Sequence, residues 1–295
     1  TPEDFAALLP LASQQGDDVI IRFDEGNFLT LQNVSLGDLT ADHFIFSTDN
    51  LIVAGTEGDD SLIRSGTSYE MRGLGGNDVL TGGDRSDLLL GGEGNDQLFG
   101  REGKDTLHGE AGVDTLSGGD GRDFLHGGTE NDTLYGDDGE DSLYGQNDDD
   151  IIYGGAGDDY LDGYYGADIF YGGEGDDYVK ASEGRDTVYG GAGVDELYGG
   201  NSEDVLYGGD GNDFIEGGNG ADVLNGGAGN DTLDAGDGFN TVYGGEGDDL
   251  LIADVYGYDT FIGGSGNDTL DFTQSSSDWT VNLELGTANT HSGSI

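Results

Sequence analysis

From Gly55 the chain divides into blocks of nine residues without a slip as far as Ile252, which makes 22 blocks. Ala253 is then one extra residue, and two further blocks run from Asp254 to Asp271. A well-formed block reads Gly91-Gly92-Glu93-Gly94-Asn95-Asp96-Gln97-Leu98-Phe99. Self-similarity at a short fixed period is the mark of an architecture in which each unit buries its core only against its neighbours. Across the 24 blocks the eighth position is always apolar, and the sixth is Asp in 22. Gly fills the first position in 20, the fourth in 19 and the second in 14. Those three columns hold 53 of the 60 glycines, so the glycine excess has fixed addresses.

One apolar residue in nine cannot make an amphipathic helix, which needs three or four in every two turns. A three-residue strand fits, with position 8 facing inward and positions 7 and 9 outward. Position 7 is rich in Thr, Val, Ile and aromatics and position 9 in Tyr, all good strand formers. Positions 1 to 6 then form a Gly-rich turn, where several residues need φ > 0 or close backbone approach. Two strand-plus-turn units make one coil of 18 residues, and coils stack as parallel strands about 4.8 Å apart. The expected fold is all-β: a flattened, right-handed parallel roll of about 12 two-strand coils over a narrow Leu/Ile/Val core.

That geometry stacks carboxylates. One edge of the roll carries Asp60, Asp78, Asp96, Asp114, Asp132, Asp150, Asp168, Asp186, Asp204, Asp222 and Asp259. The other carries Asp87, Asp105, Asp123, Asp141, Asp159, Asp177, Asp195, Asp213, Asp231, Asp249 and Asp268. Two like charges about 5 Å apart repel by roughly 3 kcal/mol at an effective dielectric of about 20. Two ladders of such pairs exceed the roughly 5–15 kcal/mol of net stability of an ordinary domain. The whole chain has 62 acidic against 9 basic residues, a formal charge of −53, with only 34% hydrophobic residues. A folded stack therefore needs cations between coils. Carboxylate and carbonyl oxygens on a pliable Gly loop suit Ca²⁺ better than Mg²⁺. No Cys and only four His argue against zinc or copper. Blocks two apart make 22 pairs, of which three involve Tyr69 or Asn240 in the Asp column, leaving about 19 calcium sites. Filling them would bring the charge to about −15.

Other functions are excluded or weak. The acidic surface repels nucleic acid and anionic lipid. No stretch approaches the roughly 18 apolar residues of a membrane span. No G-x-S-x-G, no H-E-x-x-H, no Cys nucleophile and no His near a plausible Ser is present, so no catalytic residue is assigned and the chain reads as non-enzymatic. His108 and His126 are 18 apart and read as solvated neighbours, with a surface transition-metal site as the alternative.

The blocks resemble the RTX (repeats-in-toxin, haemolysin-type) nonapeptide G-G-x-G-x-D-x-U-x over residues 55–271. The resemblance implies a parallel β-roll. Each Ca²⁺ would be held by the carbonyls of positions 2 and 4 and the Asp of one block. The carbonyls of positions 1 and 3 and the Asp of the block two further on would complete the shell. One site would then use Gly92, Gly94 and Asp96 with Gly109, Ala111 and Asp114. Tyr69 and Asn240 lack the carboxylate, and Arg85, Glu130, Asp148 and Ser202 replace the position-4 Gly. The resemblance also implies a type I secretion substrate, unfolded at low cytosolic calcium and folded outside the bacterium, in the medium or at the cell surface. Thr1 in place of an initiator Met, and the end at Ser294-Ile295, are expected of a piece of a longer chain.

Residues 1–54 are expected to form a β-rich cap with a short helix to Leu9, strands at 19–23, 28–34 and 43–46, and a helical turn at 35–40. Residues 272–295 are expected to begin a second cap, with Val281, Leu283 and Leu285 alternating in a strand. Tyr135, Tyr153, Tyr171, Tyr189 and Tyr207 recur at position 9, 18 apart, as an outward ladder. Phe124, Tyr160, Tyr178 and Phe214 stand at position 7 on the other sheet. Such rows either stack on themselves as solvated strand residues or contact another copy, a neighbouring domain or a polysaccharide. Three functional readings follow: a calcium-folded spacer and secretion module, a surface-array, adhesin or filament component, or the accessory region of a secreted hydrolase, protease or epimerase.

Overall fold

The computed structural model describes residues 9–15, 18–22, 28–31, 44–46, 51–64, 68–253, 259–272 and 289–291. The chain forms two compact units, Thr1–Ser142 and Leu143–Ile295. Both are built from the same coil.

In the first unit the strands Ser61–Arg64, Val79–Thr81, Gln97–Gly103, Thr115–Gly121 and Thr133–Gly139 pair in parallel in one sheet. Leu51–Ala54, Tyr69–Gly75, Leu88–Glu93, Thr106–Ala111 and Phe124–Thr129 form the other. Each residue meets its counterpart one coil on, so Leu98 lies beside Leu116, and Leu116 beside Leu134. In the second unit the parallel sheets run from Ile151–Ala156 to Thr260–Ser265 and from Tyr160–Tyr165 to Thr269–Asp271. Ala253 shifts the register to 19 residues: Val242 pairs with Phe261 and Leu251 with Leu270. The extra residue is taken up outside the paired strands, so every position-8 residue still meets another.

The position-8 column is the core. Leu80, Leu89, Leu98, Leu107, Leu116 and Leu125 have no exposed surface, and neither do Ile152, Leu161, Phe170, Val179 and Val188. At about 1.5–3 kcal/mol for each buried side chain, these position-8 residues, one from each sheet, are the main apolar contribution of every coil.

The strands are longer than the three residues expected. Most run for six or seven, through positions 7–9 and on into positions 1–3 or 4 of the next block, as in Gln97–Gly103. Pairing skips position 1 and resumes at position 2, where Arg101 meets Gly119. The turn backbone makes this extension possible because positions 2 and 4 take φ > 0. Gly92 and Gly94 have φ of 120° and 124°, and Glu130, Asp148 and Ser202, which replace the position-4 Gly, still reach 70°, 71° and 90°.

At the amino end Asp18–Arg22 and Phe28–Leu31 pair antiparallel as the sequence suggests, and Phe28–Leu31 pairs antiparallel with Ser61–Arg64. Phe44–Phe46 pairs antiparallel with Leu51–Ala54. Both sheets of the first unit are thus edged by antiparallel strands. The expected helix to Leu9 lies on residues 1–8, outside the described residues, and a 3₁₀ turn stands at Leu9–Leu11. The helical turn at 35–40 and the strand around Val281 to Leu285 also lie outside them. Asn289–His291 pairs with Thr269–Asp271.

Candidate metal centre

Every position-6 Asp from Asp78 to Asp268 is buried, most of them to 1–2% exposure. The two columns align at the 18-residue step. Their contact, however, is not carboxylate against carboxylate. The backbone N–H of Asp78 donates to Oδ1 of Asp96, that of Asp96 to Asp114 and that of Asp105 to Asp123, each at 2.7 Å. In the second unit Asp168 donates to Asp186 at 2.8 Å and Asp177 to Asp195 at 2.9 Å. One oxygen of each carboxylate is therefore satisfied by the preceding coil, which the charge argument alone does not foresee.

The other oxygen is not. Oδ2 of Asp96, Asp105, Asp114, Asp123, Asp168, Asp177, Asp195 and Asp204 is buried with no hydrogen-bond donor in the protein. A buried charged oxygen without a partner is strongly destabilising, and native structures rarely retain one. Burial pushes the carboxyls of Asp177 and Asp204 up to about 8, and those of Asp105, Asp114 and Asp168 up to about 7. The backbone N–H bond to Oδ1 opposes that rise, and the neighbouring carboxylates add to it. Without a cation these groups hold protons near neutral pH.

Carbonyl oxygens converge on the same space. A Cβ at Gly199 would stand 2.6 Å from the carbonyl oxygen of Gly217 and 2.8 Å from Oδ2 of Asp204. At Gly118 the corresponding oxygens are Gly136 O at 2.9 Å and Asp123 Oδ2 at 2.5 Å. Position-1 Gly is thus needed for close approach, while positions 2 and 4 need their backbone angle. In the set carried over by resemblance, Oδ2 of Asp96 and the carbonyl of Gly109 meet beside Gly91, and the carbonyl of Gly94 lies against Gly112 of the next coil. The Ala111 carbonyl accepts the Gly94 N–H at 2.8 Å, which leaves it one lone pair. Among the described residues no three His, Cys, Asp or Glu side chains converge. The oxygen set is two carboxylates and main-chain carbonyls, hard ligands on a glycine backbone, which fits Ca²⁺.

Four positions depart from the pattern. Oδ2 of Asp60 accepts Thr56 N–H at 2.5 Å and Thr56 Oγ1 at 2.9 Å. Oδ2 of Asp87 accepts Gly83 N–H at 2.8 Å. Asn240 keeps the ladder through its Oδ1, which accepts Asp222 N–H at 2.8 Å, and its Nδ2 donates to the Gly236 carbonyl at 3.2 Å. Tyr69 donates its N–H to Asp87 Oδ1 at 2.7 Å and lies under the guanidinium of Arg64.

A second ladder lies beyond what the charge argument reaches. Position-5 Asn and Asp side chains accept backbone N–H groups from the coil that follows: Asn95 Oδ1 from Val113 at 2.9 Å, Asp176 Oδ1 from Val194 at 2.8 Å. Its signal is present in the sequence, because position 5 is Asn or Asp in 11 of 24 blocks.

The position-9 tyrosines stack: Tyr153 on Tyr171 at 4.8 Å, Tyr171 on Tyr189 and Tyr189 on Tyr207 at 5.1 Å. Tyr135 is exposed on the first unit. On the other sheet of the second unit Tyr144 and Tyr198, both at position 9, interleave with Tyr160, Tyr178 and Phe214. His108 and His126 stack in parallel at 4.7 Å. Two metal–nitrogen bonds span only about 4.2 Å, so this spacing disfavours an ion shared between equivalent nitrogens of the two rings. Burial, aided by His108, holds His126 down to about 4.

The family model described as RTX calcium-binding nonapeptide repeat matches in overlapping stretches from residue 72 to residue 273. No curated protein matches the chain. No helix among the described residues is long and apolar enough to cross a membrane. Such repeats bind calcium and form a structural roll, and their usual context is secretion by the type I route. With its buried aspartate columns and glycine cradles repeating at the matched period, the chain belongs to the RTX calcium-binding nonapeptide repeat family.

Proposed function

We propose that this region is a calcium-folded spacer and folding module of a secreted or cell-surface bacterial protein, binding about 19 ions between successive coils. The observation that carries the reading is the row of buried Oδ2 atoms with no protein donor. A divalent ion between coils supplies the missing partner, and because the cradle exists only in the roll, binding energy is folding energy. Each ion would draw on the position-6 carboxylates of two blocks and the position-1 to position-4 carbonyls, as in the set of Gly92, Gly94, Asp96, Gly109, Ala111 and Asp114. The module would leave the cell as an unfolded chain and stiffen where calcium is millimolar. Far-UV circular dichroism with a calcium titration at pH 8 tests this. The strand signal should develop with calcium and be mostly lost in EGTA, and full strand content in EGTA would refute it.

A second reading is lateral association of rolls in a surface array. It is favoured by the tyrosine stack, whose members Tyr171, Tyr189 and Tyr207 remain 36–38% exposed. Light scattering that rises with calcium in the parent, and not in a Tyr171→Ala/Tyr189→Ala variant, would support it.

A further inference from the structure

The four departures from the pattern are not scattered. Three of them lie in the first coils of the first unit, where Oδ2 of Asp60 and both oxygens of Asp87 are satisfied by protein donors. Asp60 itself donates its N–H to Asp78 Oδ1 at 2.6 Å. The block 64–72 is unusual twice over, since Arg64 takes the place of the position-1 Gly and Tyr69 that of the position-6 Asp. These are the two positions whose atoms face each other across the cradle in ordinary blocks, as Gly118 faces Asp123.

Arg64 is 1% exposed, and its guanidinium carbon lies 3.7 Å from the centroid of the Tyr69 ring. With Tyr in place of the carboxylate at 69, the Arg64 guanidinium packs over the ring, whose face favours its charge. Asp87, one coil on, feels that charge. Burial raises its carboxyl, while two backbone N–H bonds and Arg64 pull it back. Burial lowers Arg64 only to about 10, so the guanidinium stays charged at neutral pH.

We propose that Arg64 is a built-in counter-cation in the position a calcium ion takes between other coils, so that the Tyr69–Asp87 edge of the first coils closes without metal and primes the calcium-dependent growth of the roll, while Asp78, whose Oδ2 is buried without a donor, leaves the opposite edge dependent on calcium. The antiparallel strand Phe28–Leu31 supports the same segment by pairing Leu29 with Arg64. A stacked repeat array has a costly first unit and favourable later ones, so a preformed coil lowers the barrier for all that follow. The inference rests on the calcium reading above and adds that the metal requirement is unequal along the chain.

The test compares the full chain with an Arg64→Gly/Tyr69→Asp variant, which restores the regular block, and with Arg64→Met, which keeps bulk and removes charge. Native mass spectrometry in calcium acetate should show the double variant binding one more Ca²⁺ than the parent. Hydrogen exchange in EGTA at pH 8 should show residues 83–90 of the parent exchanging about 100-fold more slowly than residues 170–230. That difference should disappear in both variants, and calcium should slow exchange in both regions of the double variant. An equal calcium count together with uniform exchange in the parent overturns the inference while leaving the calcium reading intact. A parent that takes up no calcium overturns both.

Discussion

Protons and calcium should compete for the same oxygens, and this makes acid a substitute for the metal. The perturbation is a pH change on the chelated chain. Burial raises the folded carboxyls of Asp177 and Asp204 to about 8, of Asp105, Asp114 and Asp168 to about 7, and of Asp186, Asp213 and Asp231 to about 6, from 3.8. A group raised on folding stabilises the folded state when protonated. That stabilisation is complete below the unfolded value near 4 and is lost as pH climbs through 6 to 8. A tenfold difference in proton affinity between the folded and unfolded chain corresponds to about 1.4 kcal/mol. Even the carboxyls held near 6 therefore disfavour the metal-free roll at pH 8 by on the order of 2 kcal/mol each, once solvent screening at the turn is allowed for. A handful of such groups cancels the roughly 5–15 kcal/mol of an ordinary domain, so the coils that carry them should be unfolded in the chelated chain at pH 8. In EGTA its strand signal should rise as pH falls from 8 to 5, whereas calcium-loaded protein should keep a constant signal over that range. Circular dichroism at low protein concentration reads both. A chelated chain that gains no strand content on acidification would show that the orphaned oxygens do not govern folding.

Three further outcomes follow from single residues. Leu116→Ala removes one fully buried side chain from a core of only two such residues per coil and should cost about 2–5 kcal/mol, seen as a higher calcium concentration at the folding midpoint. Gly193→Ala forces a side chain onto a backbone at φ 142° and against the Gly175 carbonyl. It should cost about 1–3 kcal/mol by the same assay. Asn240→Asp replaces an amide that bonds its own turn with a carboxylate that cannot, and native mass spectrometry should count about two more calcium ions.

The core and both aspartate columns are legible in the sequence because each block imposes the same demand at the same address, so the repeat displays the apolar position 24 times and the aspartate 22. What escapes is whatever varies in role rather than in residue type. The strands run past position 9 because φ > 0 at positions 2 and 4 brings the chain back into register, a backbone property that a list of side chains does not carry. Tyr144 and Tyr198 on the second sheet escape because residues at positions 7 and 9 of adjacent coils share one face, which no single column displays. Arg64 and Tyr69 look like two separate lapses in the motif, and only their contact shows one compensating the other.

The two polar ladders run in opposite senses. At position 6 each coil gives its amide to the side chain of the coil after it, and at position 5 the Asn and Asp side chains take the amide of the coil after them. The amino-facing and carboxy-facing surfaces of a coil are consequently mould and cast of one another. Any stack stripped of its terminal strands would present, at one end, donors and acceptors matched to those at the other end of a second stack. Head-to-tail polymerisation is therefore latent in the repeat. The antiparallel strand Phe28–Leu31, whose reversed direction cannot continue the parallel register, is placed where it would halt such growth.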